Sequence, residues 1–284
     1  MGAEADRAAL LAALRLQVEW GADEALADAP LDRTALSAAL PPPGAPFPPP
    51  AGASAAAATA RPAARPAPGN GAGGLLVPPA APPAASRAAE LAAAAGSLDA
   101  LRDAMAAFEG SPLRETATNL VFADGAPASG LMVIGEAPGA DEDRLGRPFV
   151  GVSGRLLDRM LASIGLGRER DFYVTNILPF RPPGNRTPTD AEIALFLPFV
   201  LRHVELAAPR LVVLLGGTAA KALLRSREGI TRLRGRWHAV SPREGEAPWP
   251  ALATLHPAYL LRNPAAKKDA WHDLLLLRRR LDGA

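Results

Sequence analysis

Four short apolar runs alternate with segments of helical spacing along the second half of the chain. Residues 131–134, 172–175, 211–215 and 251–255 carry the bulky side chains of buried strands. Between them, residues 154–164, 190–206 and 218–224 place apolar side chains at helical intervals, and a last helix is expected over 266–281. Thr189 and Glu192 form a capping box ahead of the second of these helices. Short strands buried on both faces and alternating with helices predict an α/β fold. Its expected form is a three-layer α/β/α architecture around a mostly parallel sheet.

Upstream the pattern changes. Residues 88–108 read as helical, interrupted near Gly96 and restarted by Ser97 as an N-cap for a helix beginning at Leu98. Between Pro41 and Ala85, 30 of 45 residues are Pro or Ala, and the bulky apolar residues are Phe47, Leu75, Leu76 and Val77 alone. Such a stretch cannot bury enough surface to offset its ordering entropy, so a disordered, partly polyproline-extended linker is expected. Before it, residues 4–27 form an amphipathic helical pattern through Leu10, Leu11, Leu14, Val18 and Leu26. The chain thus divides into an N-terminal helical segment (1–40), a linker (41–85) and a main domain (86–284). The first helix either docks on that domain or serves as a tethered module for a protein partner.

Composition narrows the chemistry. Apolar residues make up 49% of the 284 positions but aromatics only 5%, because alanine dominates. The chain has no cysteine, which excludes disulfides, thiolate nucleophiles, cysteine-ligated zinc and all-cysteine iron–sulfur sites. Net charge is +2, with three Arg against seven Asp and Glu before residue 41, so the remainder is mildly basic and suited to a polyanion. No apolar run is long enough to cross a bilayer, and the N-terminus lacks a charged-then-apolar signal pattern. The expectation is a cytoplasmic protein without a membrane partner.

In a parallel α/β sheet the ligand crevice lies beyond the carboxyl ends of the strands. Following the four strands are Gly135-Glu136-Ala137-Pro138-Gly139, Asn176, Gly216-Gly217 and His256-Pro257. A carboxylate, an amide and an imidazole therefore converge on one edge. The chain lacks GxGxxG and GxxxxGK[ST] phosphate cradles, a GxSxG elbow and an HExxH zinc motif. What remains is hydrolysis or recognition of a group held by amide, carboxylate and imidazole.

Five motifs in order carry a resemblance. They are the run from Gly135 to Asp143, Gly146-Arg-Pro-Phe-Val-Gly151, Tyr173-Val-Thr-Asn176, Arg181-Pro-Pro-Gly-Asn-Arg186, and the run from His256 to Pro264. Together they resemble the family 4 uracil-DNA glycosylases from about Phe108 to Leu281. The resemblance implies a four-stranded parallel sheet between helices. It also implies hydrolysis of the N-glycosidic bond between uracil and deoxyribose in DNA, after the nucleotide has been rotated out of the stack.

By motif position, Phe149 would stack on uracil, Ala137 would line its pocket and Asn176 would read its Watson–Crick edge. An amide offers both the donor and the acceptor that O4 and N3–H require. Glu136 is the first candidate for stabilising the sugar cation or orienting water, and Glu142 the second. His256 would donate a hydrogen bond to uracil O2. An intercalation loop is implied between Pro257 and Pro264, with Leu260 or Leu261 as the wedge and Arg262 on phosphate. Ser153, in the segment from Gly151 to Gly154, is a further phosphate candidate, as are Arg181, Asn185 and Arg186.

One departure from the family is plain. Its typical members hold a [4Fe-4S] cluster through four cysteines, and the matching positions here are Phe108, Ser111, Phe180 and Phe196. The expectation is an apolar plug in place of the cluster, no cofactor and no metal. The leading reading is a monomeric, nucleoid-associated repair glycosylase acting on uracil-containing DNA. The alternatives are a uracil-DNA-binding protein with little or no turnover, and an interaction protein whose fold supports the N-terminal helix. Covalent trapping through a histidine is disfavoured, because residues 179–186 contain none.

Overall fold

The computed structural model describes residues 83–241 and 247–283. The helix expected at 4–27 and all but the last three residues of the 41–85 linker lie outside the described residues. Among the described residues the first helix opens at Ala84, two residues before the boundary expected for the main domain. The helices are α1 (Ala84–Ala94), α2 (Leu98–Ala107), α3 (Leu113–Thr116), α4 (Ala140–Leu145), α5 (Val152–Ala162), α6 (Arg168–Asp171), α7 (Asp190–Ala207), α8 (Gly216–Leu224), α9 (Ile230–Leu233), α10 (Pro257–Arg262) and α11 (Lys267–Asp282). The strands are β1 (Ala123–Gly125), β2 (Leu131–Gly135), β3 (Tyr173–Asn176), β4 (Leu211–Leu215), β5 (Trp237–Val240) and β6 (Trp249–Thr254).

The six strands form one sheet in the order β1-β3-β2-β4-β6-β5. The four expected strands are its mutually parallel centre. The expected count of four falls short by two antiparallel edge strands, β1 on β3 and β5 on β6. Neither edge strand carries the buried apolar run that marks the others: β1 is Ala-Asp-Gly and β5 is largely half-exposed.

Alternation along the central strands builds two cores. Leu131, Val133, Leu211 and Val213 pack with Leu157 and Leu161 of α5 and Leu274 and Leu277 of α11. Met132, Ile134, Val212 and Leu214 pack on the other side with Val200 and Val204 of α7 and Ala219 and Leu223 of α8. A period of two sends successive side chains to opposite faces, so each strand serves both layers. Each such fully buried aliphatic side chain contributes about 1.5–3 kcal/mol relative to exposure.

The helix ends follow the caps read in the sequence. Ser97 Oγ accepts from Ala100 N at 3.1 Å. Thr189 Oγ1 accepts from Glu192 N at 3.2 Å while the Glu192 carboxylate accepts from Thr189 N at 2.8 Å. A third core joins α1 and α2 to α7 through Ala88, Leu101, Met105, Phe196 and Phe199.

The chain runs from β2 to β3 on one side, then returns to place β4 on the other side of β2. This reversal is the topological switch point, which opens a crevice at the carboxyl ends of β2 and β4.

Candidate active site

Parallel register sets the strand ends level. Gly135 of β2 pairs with Asn176 of β3, and Leu215 of β4 pairs with Thr254 of β6. The residues just beyond those pairs line a single cavity of about 500 Å³ that includes Glu136, Ala137, Phe149, Asn176 and His256. Such a volume falls in the range of small-molecule sites. The three residues that the strand landings single out, Glu136, Asn176 and His256, therefore share one pocket.

The switch point is bridged by a hydrogen bond absent from the sequence reading. Thr218 Oγ1, at the start of α8, donates to Glu136 Oε2 at 2.6 Å. Its only signal in the sequence is its place directly after the Gly216-Gly217 landing of β4.

Glu142 takes a different part from the one expected of a second catalytic carboxylate. Its Oε1 accepts from Val150 N at 3.0 Å and Gly151 N at 2.8 Å, and its Oε2 from Gly139 N at 3.1 Å. Three backbone donors occupy this buried carboxylate, so it ties the Gly139 turn to the loop before α5. Gly151 N–H is thereby spent, which removes it from the phosphate cradle expected around Ser153.

Phe149 sits in that loop with φ +55°, a left-handed conformation uncommon for a bulky side chain. Arg168 holds it there, donating from Nη2 to Phe149 O at 2.8 Å and from Nη1 to Pro148 O at 3.0 Å. Arg168 is itself anchored by Asp158 and Asp124. Nothing in the spacing of the sequence marks Arg168 for this task. Two glycines make the arrangement possible. A Cβ on Gly135 would lie 2.4 Å from the Phe149 ring and 2.5 Å from Asn176 Oδ1, and one on Gly154 would lie 1.9 Å from Phe149 O.

The Asn176 side chain is buried, and its Oδ1 is the one buried side-chain polar atom among the described residues without a hydrogen-bond partner. A buried acceptor left unmatched costs about 1–3 kcal/mol, which a ligand N–H would recover. His256 is the N-cap of α10, and its Nδ1 accepts from Ala258 N at 3.2 Å. Burial, reinforced by the Arg262 charge, lowers its pKa from 6.5 to about 4. The neutral ring therefore carries its proton on Nε2, free of the backbone contact. Its ring lies 5.7 Å from that of Phe149, tilted by 35°.

The DNA-facing candidates divide. Ser153, Asn185, Arg186 and Arg262 line the cavity, whereas Arg181 is absent from its lining and donates from Nε to Asn185 Oδ1 at 2.7 Å. Arg186 is held bidentately by Glu192, at 2.9 and 2.7 Å. This pairing lowers the Glu192 pKa to about 2. The segment expected as an intercalation loop is instead helix α10, with Pro257 at its first turn, where the missing N–H costs nothing. Leu260 is 1% exposed and packs on Leu156 and Ala270, so it is not a wedge. Leu261 is half-buried against the same cluster, and Tyr259 is an exposed aromatic side chain that lines the cavity.

Three of the four positions expected to match cluster ligands come together. Phe108, Phe180 and Phe196 are buried in one aromatic group, with centroids 6.1 Å apart for Phe108–Phe196 and 6.0 Å for Phe180–Phe196, both edge-on. Ser111 is buried beside Leu113, whose N–H its Oγ accepts at 3.3 Å. Three phenyl rings and a hydroxyl already bonded to backbone do not fit an iron–sulfur cluster, which needs thiolate or imidazole donors. Among the described residues there is no group of three or more His, Cys, Asp or Glu that could hold a metal ion.

Comparison with known proteins agrees with this geometry. A family model described as the uracil DNA glycosylase superfamily matches residues 122–275. The type-4 uracil-DNA glycosylase of Pyrobaculum aerophilum is 37% identical over 169 residues, covering 58% of this chain and 85% of its own. That of Sulfurisphaera tokodaii is 36% identical over 188 residues, or 64% and 84% of the two chains. That of Archaeoglobus fulgidus is 40% identical over 161 residues, or 55% and 79%. With a parallel sheet whose switch-point pocket holds a carboxylate, an unmatched amide and a neutral imidazole, the chain belongs to the uracil DNA glycosylase superfamily and resembles its type-4 members.

Proposed function

We infer that this protein is a DNA-repair glycosylase that hydrolyses the N-glycosidic bond of uracil in DNA, releasing free uracil and leaving an abasic site. The observation that carries the reading is the unmatched, buried Asn176 Oδ1 in a pocket shared with Glu136, Phe149 and His256. Uracil N3–H supplies the donor this atom lacks, and the Asn176 amide N–H meets O4. Cytosine presents an unprotonated N3 and an amino group at those two places and leaves both groups mismatched.

In the proposed reaction the C1′–N1 bond breaks with its electron pair leaving on uracil. A water oxygen bonds to C1′, and the proton it loses ends on the departing uracil, which leaves as the neutral base. Glu136, oriented by Thr218, stabilises the positive sugar or aligns that water. His256 Nε2–H donates to uracil O2 as negative charge gathers there. Phe149 stacks on the flipped ring, Ala137 leaves space beside it, and Glu142 holds the loop that carries Phe149. We assign the gap left by the extruded base to the exposed Tyr259 rather than to Leu260 or Leu261, with Arg262 and Ser153 on phosphate.

The reading extends to an enzyme that works as a monomer without an iron–sulfur cluster, acting on DNA in the cytoplasm. It predicts a preparation with no iron-dependent visible absorbance. The test is a uracil-containing oligonucleotide incubated with the protein and then treated with alkali. Strand scission at the uracil position supports the glycosylase, whereas a retained complex without scission would make it a uracil-DNA-binding protein.

A further inference from the structure

Helix α10 serves two cavities. It turns Ala258, Tyr259 and Arg262 to the uracil pocket and Leu260 to a neighbouring groove of about 290 Å³. Helix α5 is shared in the same way, with Ser153 at the pocket and Leu156, Arg159 and Met160 along the groove. The groove floor is apolar, since Leu156 and Leu260 are buried. Its rim holds Trp271, 42% exposed, together with the exposed side chains of Arg159 and Lys267. No acidic residue lines it, and neither cation has an ion-pair partner among the described residues.

An exposed indole sharing an apolar groove with two cations that have no ion-pair partner among the described residues matches the two demands of single-stranded nucleic acid, stacking for the base and positive charge for the backbone. We propose that this groove receives a base of the substrate strand near the uracil, stacked on Trp271, with Arg159 and Lys267 on the adjoining phosphates. The proposal rests on the glycosylase reading above. Charge selects this occupant: an apolar protein segment would fill the floor but leave both cations unmatched. Reach agrees as well. At 1.5 Å per helical residue, Arg159 lies about 9 Å beyond Ser153 along α5. A strand advancing by about 3.4 Å or more per nucleotide covers that distance within two or three nucleotides. A base seated on Trp271 has left its own stack, so the groove favours unpaired DNA flanking the lesion.

The test compares Trp271→Ala and Trp271→Phe with the parent on a uracil-centred trinucleotide and on a longer single strand. Trp271→Ala should raise KM for the longer strand about 10-fold, within the range of one lost base–aromatic stack. It should leave kcat, and KM for the trinucleotide, unchanged. Trp271→Phe should recover most of the loss. Fluorescence quenching on binding a uracil-free single strand should disappear in Trp271→Phe. Equal KM values for Trp271→Ala and the parent on the longer strand, with unaltered quenching, would overturn the proposal. Failure of the parent to release uracil from either substrate would instead defeat the glycosylase reading, and the quenching measurement would still decide the groove.

Discussion

Thr218 Oγ1 donates to Glu136 Oε2 at 2.6 Å, joining two residues 82 positions apart across the switch point of the sheet. A hydrogen bond to a charged group is worth about 1.5–3 kcal/mol. Removing it frees the carboxylate to rotate away from the sugar. Thr218→Val should therefore lower kcat about 10-fold to 100-fold with little change in KM, and Thr218→Ser should restore it. A steady-state comparison of the two variants checks this. Full activity in Thr218→Val with a loss in Thr218→Ser would show that the methyl group, not the hydroxyl, matters.

Asn176 presents an acceptor to the pocket and no partner to it. Asn176→Asp replaces the amide donor with a second acceptor, so the interaction with uracil O4 becomes repulsive. Uracil excision should fall about 100-fold or more, and selectivity for uracil over cytosine should narrow. Parallel single-turnover measurements on the two bases provide the check. Unchanged selectivity would remove Asn176 from base reading.

His256 links rate to pH. With its pKa lowered to about 4 by burial and Arg262, the ring stays neutral from about pH 5 upward. The His256-dependent step should be flat over that range and change as pH falls through about 4. His256→Ala should lose about 100-fold to 1000-fold in rate at neutral pH, as for one preorganised donor. A pH–rate profile with an inflection near the ordinary histidine value of 6.5 would refute the neutral assignment.

Stability carries the same sign from two histidines. His203 is buried, meets the Tyr173 hydroxyl at 3.0 Å from Nε2, and is pushed down to about 3 by burial. Both imidazoles are held neutral in the fold, while the unfolded chain binds their protons below about pH 6.5. The fold suffers no penalty from them above that value and loses stability as pH falls from 6.5 toward 4 for His256 and toward 3 for His203. The slope reaches up to about 1.4 kcal/mol per pH unit for each. Urea unfolding at pH 7 and pH 5 measures it. Replacing His203 with Phe should flatten the dependence.

The aromatic group of Phe108, Phe180 and Phe196 makes a separate prediction. Phe196 is fully buried between Phe108 and Phe180. Phe196→Ala should cost about 3–5 kcal/mol through lost burial and the cavity left behind. A chelator should change neither the parent's unfolding midpoint nor its activity. Loss of stability on chelation would contradict a metal-free body.

The order of strands and helices was legible because it depends on local pattern. Residues 211–215 can be little other than a buried strand, and Thr189 with Glu192 caps α7 as its chemistry requires. The edge strands were hidden because Ala123–Gly125 pairs without burying an apolar run. Pro257 concealed α10, since a proline reads as a break until the helix is seen to begin on it.

At the site, the sequence by itself determined which groups are present: the glutamate, asparagine and histidine that follow strands, and the want of any thiolate. Parallel register explains why those three could be placed together, for strand ends in one sheet lie level. Tertiary structure alone decided how each is used. It gave Glu142 to three backbone donors, paired Glu136 with Thr218, strained Phe149 against Arg168 and turned Leu260 inward. Those outcomes depend on which side chains and backbone groups approach within 3 Å after folding. That is a property of packing between distant segments and has no signature in local spacing.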